Sequence, residues 1–495
     1  MDRYSVKKLN RLARTNEIWC FGCGKRFYDM LASYEDEPFV KKLHIIIDNN
    51  RLLWDRTIIG SNKITVKSPD ALKNIQGDGI VLIITSDAAE EITNQIKEYS
   101  LPLTVKITTY PREYYGFTKY IMALCSLLPM KRQMIFRAGR EPHENADALV
   151  KYMADEYKEK NYKALYLAEK NEYFNIYDKN IEYLDIDTLK HKASIRSIIN
   201  FCKEYSRTPL LFYENTRIEK VRNNQKLIFL NHGMIPLKYV ADVLRQPEDL
   251  DHAVCPAKSC AAFYEEQYGI PEEKLIFSML PRTAAVFEDN TGRIDGFLNS
   301  RKMQVLLWLP TFRRLEGTSR TDSADRGVFD EFLKEDVLSE LNDRLRQNNQ
   351  KLVIKFHPRE RDKIKKLSVM SNISILEDSD IRNAKLMLQH FLGRADALLT
   401  DYSSIAFEYM LTDRPIGYVI RDLENYSRGF SVEEPLVYMP GEKIYTFDAL
   451  TGFMENVKKG NDIYAAQRHE LIKRLFDGAD PTAGAKDLMN FLEEI

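Results

Sequence analysis

The chain has 495 residues, 44% hydrophobic and 29% charged, which fits about three soluble globular domains with ample core. A formal net charge of −1 excludes a bulk electrostatic nucleic-acid binder. Six cysteines are too few for a disulfide framework and point to a reducing compartment. The opening Met1-Asp-Arg-Tyr-Ser5 has no signal-peptide core, and no apolar run approaches the ~20 residues of a membrane span, so the chain reads as cytoplasmic.

Residues 1–130 are predicted to form a Rossmann-like accessory domain. Glu17-Ile-Trp-Cys-Phe21 is a strand, Gly22-Cys-Gly24 turns into a helix holding Phe27, Met30 and Leu31, and Leu43-His-Ile-Ile-Ile47 is a strand ending at Asp48. A Gly-x-Gly after one strand and an acidic residue after the next is the dinucleotide-binding layout. Phe27 stands where a third glycine would allow close packing over a pyrophosphate, so the domain is read as Rossmann-like without bound NAD. Cys20 and Cys23 form a C-x-x-C with no second pair at zinc spacing, and are read as cysteines of a buried strand and turn. The aromatic segment 113–128, closed by Lys131-Arg132, is too short to span a bilayer. It is predicted as a buried connecting helix, with peripheral membrane contact as the second reading.

Two further α/β alternations follow, assigned to residues 131–248 and 249–495. In the first, strands around 134–136, 164–167, 209–213 and 226–230 are predicted, the last running into Asn231-His232-Gly233. In the second, the strand at 303–309 ends in Pro310-Thr311-Phe-Arg313, and the strand at 351–356 ends in His357-Pro358. The strand at 395–400 ends in Thr400-Asp401-Tyr402-Ser403-Ser404, and 415–420 supplies one more. Residues 317–326, rich in Ser, Thr, Asp and Gly, read as a mobile loop.

Around Asp401 the pattern is strand, tight turn, helix, with Ser403 as the N-cap and Glu408 one turn beyond Ser404. Such a junction offers backbone N–H groups and hydroxyls to an anion, although an ordinary capped turn would look the same. The wider pattern carries more weight. His232, Lys238, Arg282, Thr311, Arg313, His357, Asp401, Ser403 and Ser404 fall after apolar strands, where open α/β sheets bind ligands. Cations and hydroxyl donors suit a polyphosphate, and no Walker A sequence or His-rich metal motif is present. Taken alone, His232 reads as a histidine hydrogen-bonded in a turn, His357 has the same two readings, and Arg282 and Arg313 read as surface salt-bridge partners.

These residues resemble the CDP-glycerol glycerophosphotransferase family of teichoic-acid and capsule synthesis. The resemblance covers residues 131–480 and rests on ordered motifs. They are His232-Gly233 with Pro236-Leu-Lys238, Pro281-Arg282, Pro310-Thr-Phe-Arg313, Phe356-His-Pro358, Thr400-Asp-Tyr-Ser-Ser404 with Phe407-Glu408-Tyr409, and Asp422-Leu-Glu-Asn-Tyr426 leading into Arg428-Gly429-Phe430. It implies a GT-B-like pair of Rossmann-like domains and transfer of an alditol phosphate from a CDP-alditol to a polymer, lipid-linked or saccharide acceptor, with CMP leaving. Glycerol is the first expectation for the alditol and ribitol the second. By the same resemblance His232 is the general base, and His357, Arg282 and Arg313 stabilise the pyrophosphate and departing CMP. Lys238, Thr311, Thr400, Asp401, Ser403 and Ser404 belong to the donor site, and Glu408 holds the ribose. No cofactor or metal is identified, and metal dependence stays open. Met234-Ile235 stand where the family often carries a single threonine. A nucleotide-sugar glycosyltransferase and a non-catalytic nucleotide-binding scaffold are the alternatives.

Overall fold

The computed structural model describes residues 4–494 apart from 5, 35, 60–62, 76–78, 87–88, 100, 103, 110–117, 138–144, 157–161, 169–181, 187–193, 242–243, 312–331, 357–369 and 427. The chain forms two compact units, one built mainly from residues 1–120 and the other from most of 121–495.

The first unit holds a six-stranded sheet in the order β3-β4-β2-β1-β5-β6. Its strands are β1 (Glu17–Phe21), β2 (Leu43–Ile47), β3 (Thr57–Ile59), β4 (Lys63–Lys67), β5 (Ile80–Ile84) and β6 (Lys106–Thr109). Only β3 and β4 pair antiparallel, at the edge. The Ile- and Val-rich β5 is buried on both faces, as crossover helices demand of a parallel sheet. Ile46, Val81 and Ile83 pack with Phe27 and Met30, while Phe21, Leu82 and Ile84 pack with Ile92 and Ile96 on the other side.

After β1, Gly22 adopts φ +104°, and a Cβ there would lie 3.0 Å from the Ser86 Cβ. The Asp48 carboxylate closes this loop by accepting the Cys23 N–H at 2.6 Å and the Asn50 N–H at 2.7 Å. Phe27 is wholly buried. Burial pushes the Cys20 thiol well up and the Cys23 thiol up to about 11, so both stay protonated at neutral pH.

The second unit carries two sheets whose strands all pair in parallel. The first has the order β13-β12-β11-β10-β7-β8-β9. It comprises β7 (Gln133–Arg137), β8 (Lys163–Ala168), β9 (Glu182–Asp185), β10 (Leu210–Tyr213), β11 (Lys226–Phe229), β12 (His252–Cys255) and β13 (Leu275–Phe277). The domain boundary expected at 248 therefore falls too early, because β12 and β13 complete this sheet.

The other sheet has the order β16-β15-β14-β17-β18-β19. It is built from β14 (Gln304–Trp308), β15 (Gln350–Ile354), β16 (Ile373–Ile375), β17 (Ala397–Thr400), β18 (Ile416–Val419) and β19 (Glu442–Ile444). Leu306, Trp308, Leu352, Ile354 and Leu399 meet the helices Glu335–Asn348 and Phe447–Lys459 through Leu338, Leu341, Phe453 and Met454. The last helix, Gly484–Glu494, returns to the first of these sheets: the Gly484 carbonyl accepts from Ser278 Oγ at 2.9 Å, and Phe491 packs edge-on against His252.

The segment expected as a buried connecting helix is helical only over Thr118–Cys125 among the described residues, and its apolar face is not covered. Leu124 is 67% exposed and Leu127 83%. Met122 and Cys125 face inward instead, and Ser206 Oγ donates to the Met122 carbonyl at 3.2 Å. No helix among the described residues is long and apolar enough to cross a membrane.

The helices Asn145–Glu156 and Leu388–Arg394, which flank different sheets, are tied by one carboxylate. Glu288 lies 2.7 Å from Lys151 Nζ and 3.0 Å from His390 Nε2. His390 Nδ1 accepts the Met387 N–H, so its ring proton sits on Nε2 and is donated to Glu288. The His390 hydrogen bond, with Lys151, holds the Glu288 carboxyl down at about 2 against its partial burial. A depressed carboxyl contributes stability above its unfolded value of about 4.5, lost as pH falls toward 2. The thermal midpoint of Glu288→Gln should therefore fall less steeply than that of the parent chain between about pH 4.5 and 2. Parallel curves over that window would rule the clasp out.

Candidate active site

The site grows from three strand ends. After β11, Asn231 takes a left-handed φ of +61°, a conformation that asparagine tolerates better than most residues. Its Oδ1 accepts the His232 N–H at 2.7 Å and the Gly233 N–H at 3.4 Å. Its Nδ2 donates to the Tyr264 hydroxyl at 2.8 Å, which in turn donates to the Met234 carbonyl at 3.2 Å. Burial raises the Tyr264 phenol far above its usual range, so it acts as a neutral hydroxyl. Asn145, at the start of its helix, donates to the Asn231 carbonyl at 2.9 Å. Met234 and Ile235 are wholly buried, so the residues in place of the family's threonine serve as core.

After β17, Ser403 Oγ accepts the Ile405 N–H at 3.4 Å and Ser404 already has helical dihedrals. The N-cap of the helix Ile405–Met410 is Ser404, without a side-chain cap, so the expected Ser403 cap is displaced by one residue. Thr400 and Asp401 are wholly buried. Thr400 Oγ1 donates to the Leu309 carbonyl at 2.9 Å, and Asp401 Oδ2 accepts from Thr311 N at 3.1 Å and Thr311 Oγ1 at 2.7 Å. These three residues, expected to touch the donor, lock the ends of β14 and β17 together.

The His232 loop and the Ser404 turn meet directly. A Cβ on Gly233 would lie 2.3 Å from Ser404 Oγ and 2.8 Å from its Cβ, so only glycine fits. Beneath this contact Arg282, 5% exposed, pairs with Glu408, which is fully buried. The Arg282 Nη2 also donates to the His232 carbonyl at 2.7 Å, and Gln389 Nε2 donates to Glu408 at 3.2 Å. Glu408 was expected on a ribose and Arg282 on a pyrophosphate. Here they bind each other, Arg282 being buried in the short 3-10 helix that Pro281 opens.

Lys238 lies on a backbone bridge to Phe430, flanked by Tyr239 N to the Gly429 carbonyl at 3.1 Å and Ser431 N to the Leu237 carbonyl at 2.9 Å. Phe430 and Tyr426 pack on Tyr402, whose hydroxyl donates to Asp422 at 3.0 Å. The structure thus brings His232, Lys238, Arg282, Thr311, Thr400, Asp401, Ser403, Ser404 and Glu408 to one region. Arg313, His357 and the loop 317–326 lie outside the described residues.

A family described as CDP-Glycerol:Poly(glycerophosphate) glycerophosphotransferase matches residues 120–490. The chain belongs to this family. Among curated relatives of this glycerophosphotransferase-family chain, it is 25% identical over 252 residues to a teichoic acid glycerol-phosphate primase of Bacillus subtilis (strain 168), covering 50% of the chain and 58% of the relative. It is 27% identical over 202 residues to the teichoic acid ribitol-phosphate polymerase TarL of Staphylococcus aureus (strain NCTC 8325 / PS 47), covering 39% of the chain and 33% of the relative. Both alignments span less than two thirds of those relatives. The solved wall teichoic acid polymerase TagF superposes with a TM-score of 0.56 at 18% identity, over 76% of this chain and 95% of that one. The family member therefore has the α/β, GT-B-like fold expected from its sequence.

The supporting asparagines of this glycerophosphotransferase-family site, Asn145 and Asn231, and the buried Gln389 escape motif reading. One signal was available: an asparagine before His-Gly at a strand end favours a left-handed turn. Gly233→Ala should cost about 1–3 kcal/mol by overpacking against Ser404, measured as a drop in thermal midpoint. Adding Ser404→Gly should restore most of that loss; no recovery would mean that the two residues do not touch.

Proposed function

We propose that this chain transfers an alditol phosphate, glycerol phosphate first and ribitol phosphate next, from a CDP-alditol to an acceptor hydroxyl. The acceptor oxygen forms a bond to the alditol-bearing phosphorus, the phosphorus–oxygen bond to CMP breaks, and the acceptor proton passes to His232. The reading is carried by the contact of the His232-Gly233 loop with the Ser403-Ser404 turn, which sets a candidate base beside candidate phosphate-holding hydroxyls. Phosphoryl transfer asks the protein mainly for positioning and charge stabilisation. In this reading Ser403, Ser404 and Lys238 hold the donor phosphates. Thr311, Thr400 and Asp401 fix the turn, and Arg282 with Glu408 fixes the base loop. By family resemblance Arg313 and His357 stabilise the pyrophosphate and the departing CMP. The teichoic-acid names of the relatives support a polymer or lipid-linked acceptor.

We also infer peripheral contact with an anionic lipid surface at the cytoplasmic face of a membrane. Exposed Leu124, Leu127 and Leu128 support it, as do Ile195 and Ile199 on the helix Ile195–Ser206. Basic side chains adjoin them: Arg207 Nε donates to the Pro129 carbonyl at 2.8 Å and Arg222 Nη1 to the Leu128 carbonyl at 3.0 Å. Exposed apolar anchors with cations beside them suit such a surface.

Two measurements test these readings. His232→Ala should leave the thermal shift with CDP-glycerol or CDP-ribitol nearly intact while cutting turnover by at least ~100-fold. Full turnover would remove His232 as base, and a shift with a UDP-sugar alone would move the reading to glycosyl transfer. Leu124→Ser with Leu127→Ser should lose co-sedimentation with phosphatidylglycerol vesicles, and unchanged binding would discard the lipid surface.

A further inference from the structure

His232 is held unevenly. Its main chain is fixed on both sides, by Asn231 Oδ1 on its N–H and by Arg282 Nη2 on its carbonyl. The ring has a partner in the side chain at the end of the neighbouring strand. Strands β10 and β11 run parallel with Tyr213 opposite Phe229, so the residues just beyond them emerge at the same sheet edge. There the Asn215 amide lies 3.3 Å from His232 Nδ1. Asn215 is itself anchored through its neighbour: Glu214 is buried, and its Oε1 accepts the Ala146 N–H at 2.6 Å.

An amide offers nitrogen or oxygen at nearly the same place after a half-turn, and the two settings select opposite imidazole tautomers. With Nδ2 toward the ring, Nδ1 accepts and the proton sits on Nε2. With Oδ1 toward the ring, Nδ1–H donates and the basic lone pair lies on Nε2.

We propose that Asn215 is a positioning residue that presents Oδ1 to His232 Nδ1–H, fixing the tautomer that is basic at Nε2. The inference rests on the reading of His232 as general base. A neutral amide in this place orients the ring while stabilising the imidazolium less than a charged acceptor would. A carboxylate would orient it equally but favour the charged ring.

The test compares the full-length parent chain with Asn215→Leu, Asn215→Asp and His232→Ala, using whichever of CDP-glycerol and CDP-ribitol supports turnover. Asn215→Leu should lower kcat by about 10- to 100-fold while KM for the donor and the thermal midpoint stay near the parent values. Asn215→Asp should keep most of kcat at alkaline pH and move the acidic limb of the kcat profile upward by about one pH unit. The ¹⁵N shifts of the His232 imidazole, assigned by their loss in His232→Ala, should report an unprotonated Nε2 in the parent chain and mixed tautomers in Asn215→Leu. An unmoved acidic limb in Asn215→Asp, or parent-level kcat in Asn215→Leu, overturns the Asn215 role. Should His232→Ala turn over normally, it is the base assignment that fails.

Discussion

The buried ion pair between Arg282 and Glu408 is the constraint on which the rest of the site depends. Two charges withdrawn from water cost several kcal/mol each unless every donor and acceptor finds a partner. Here Glu408 receives Arg282 and Gln389, and Arg282 reaches on to the His232 carbonyl. These groups come from the link after β13, the helix before β17, the helix after it and the loop after β11. None can settle without the others, so the pair couples the two parallel sheets of the second unit at the point where their loops meet. A buried pair of this kind is weak evidence for stability; what it supplies here is registration.

The same logic runs through the His232 loop. Asn145, Asn231 and Tyr264 form a buried polar network in which each side chain serves backbone groups of the surrounding loops. In a low-dielectric interior such networks hold geometry tightly when satisfied and fail badly when one member is lost. A chemistry governed by placement more than by covalent steps is well matched to that scaffold. The tight approach of Gly233 to Ser404 belongs to it, since a side chain at 233 would push the two sheet edges apart.

The strands written as uninterrupted Val, Ile and Leu, such as β5, β14 and β17, were legible in the sequence because burial on both faces leaves no other composition open. Edge strands were not. Glu182–Asp185, Lys106–Thr109 and Glu442–Ile444 mix charge with apolar residues and pair on few sides, so neither period nor apolar run announces them. The first sheet of the second unit was cut short because β12 and β13 are only four and three residues long, too brief for a run to stand out. In the site, His232, Ser403 and Ser404 were found by their position after strands. Their neighbours engage one another in ways no motif announces. Glu408 does lie one turn beyond Ser404, but its direction is set by an arginine 126 residues away, and no local pattern encodes that. Thr400 and Asp401 likewise look outward in sequence and are turned inward by Leu309 and Thr311.

The cysteines carry a consequence of their own. All six are buried as free thiols, Cys20 and Cys23 in the first unit and Cys202, Cys255 and Cys260 among those in the second. Burial raises Cys23 and Cys202 to about 11 and Cys260 to about 12, so almost none of the reactive thiolate exists at neutral pH while the chain is folded. An alkylating reagent therefore samples openings of the backbone and little else. Because the thiols are divided between the two units, the order in which they become modified is a record of which unit opens first, written covalently into an otherwise unaltered protein.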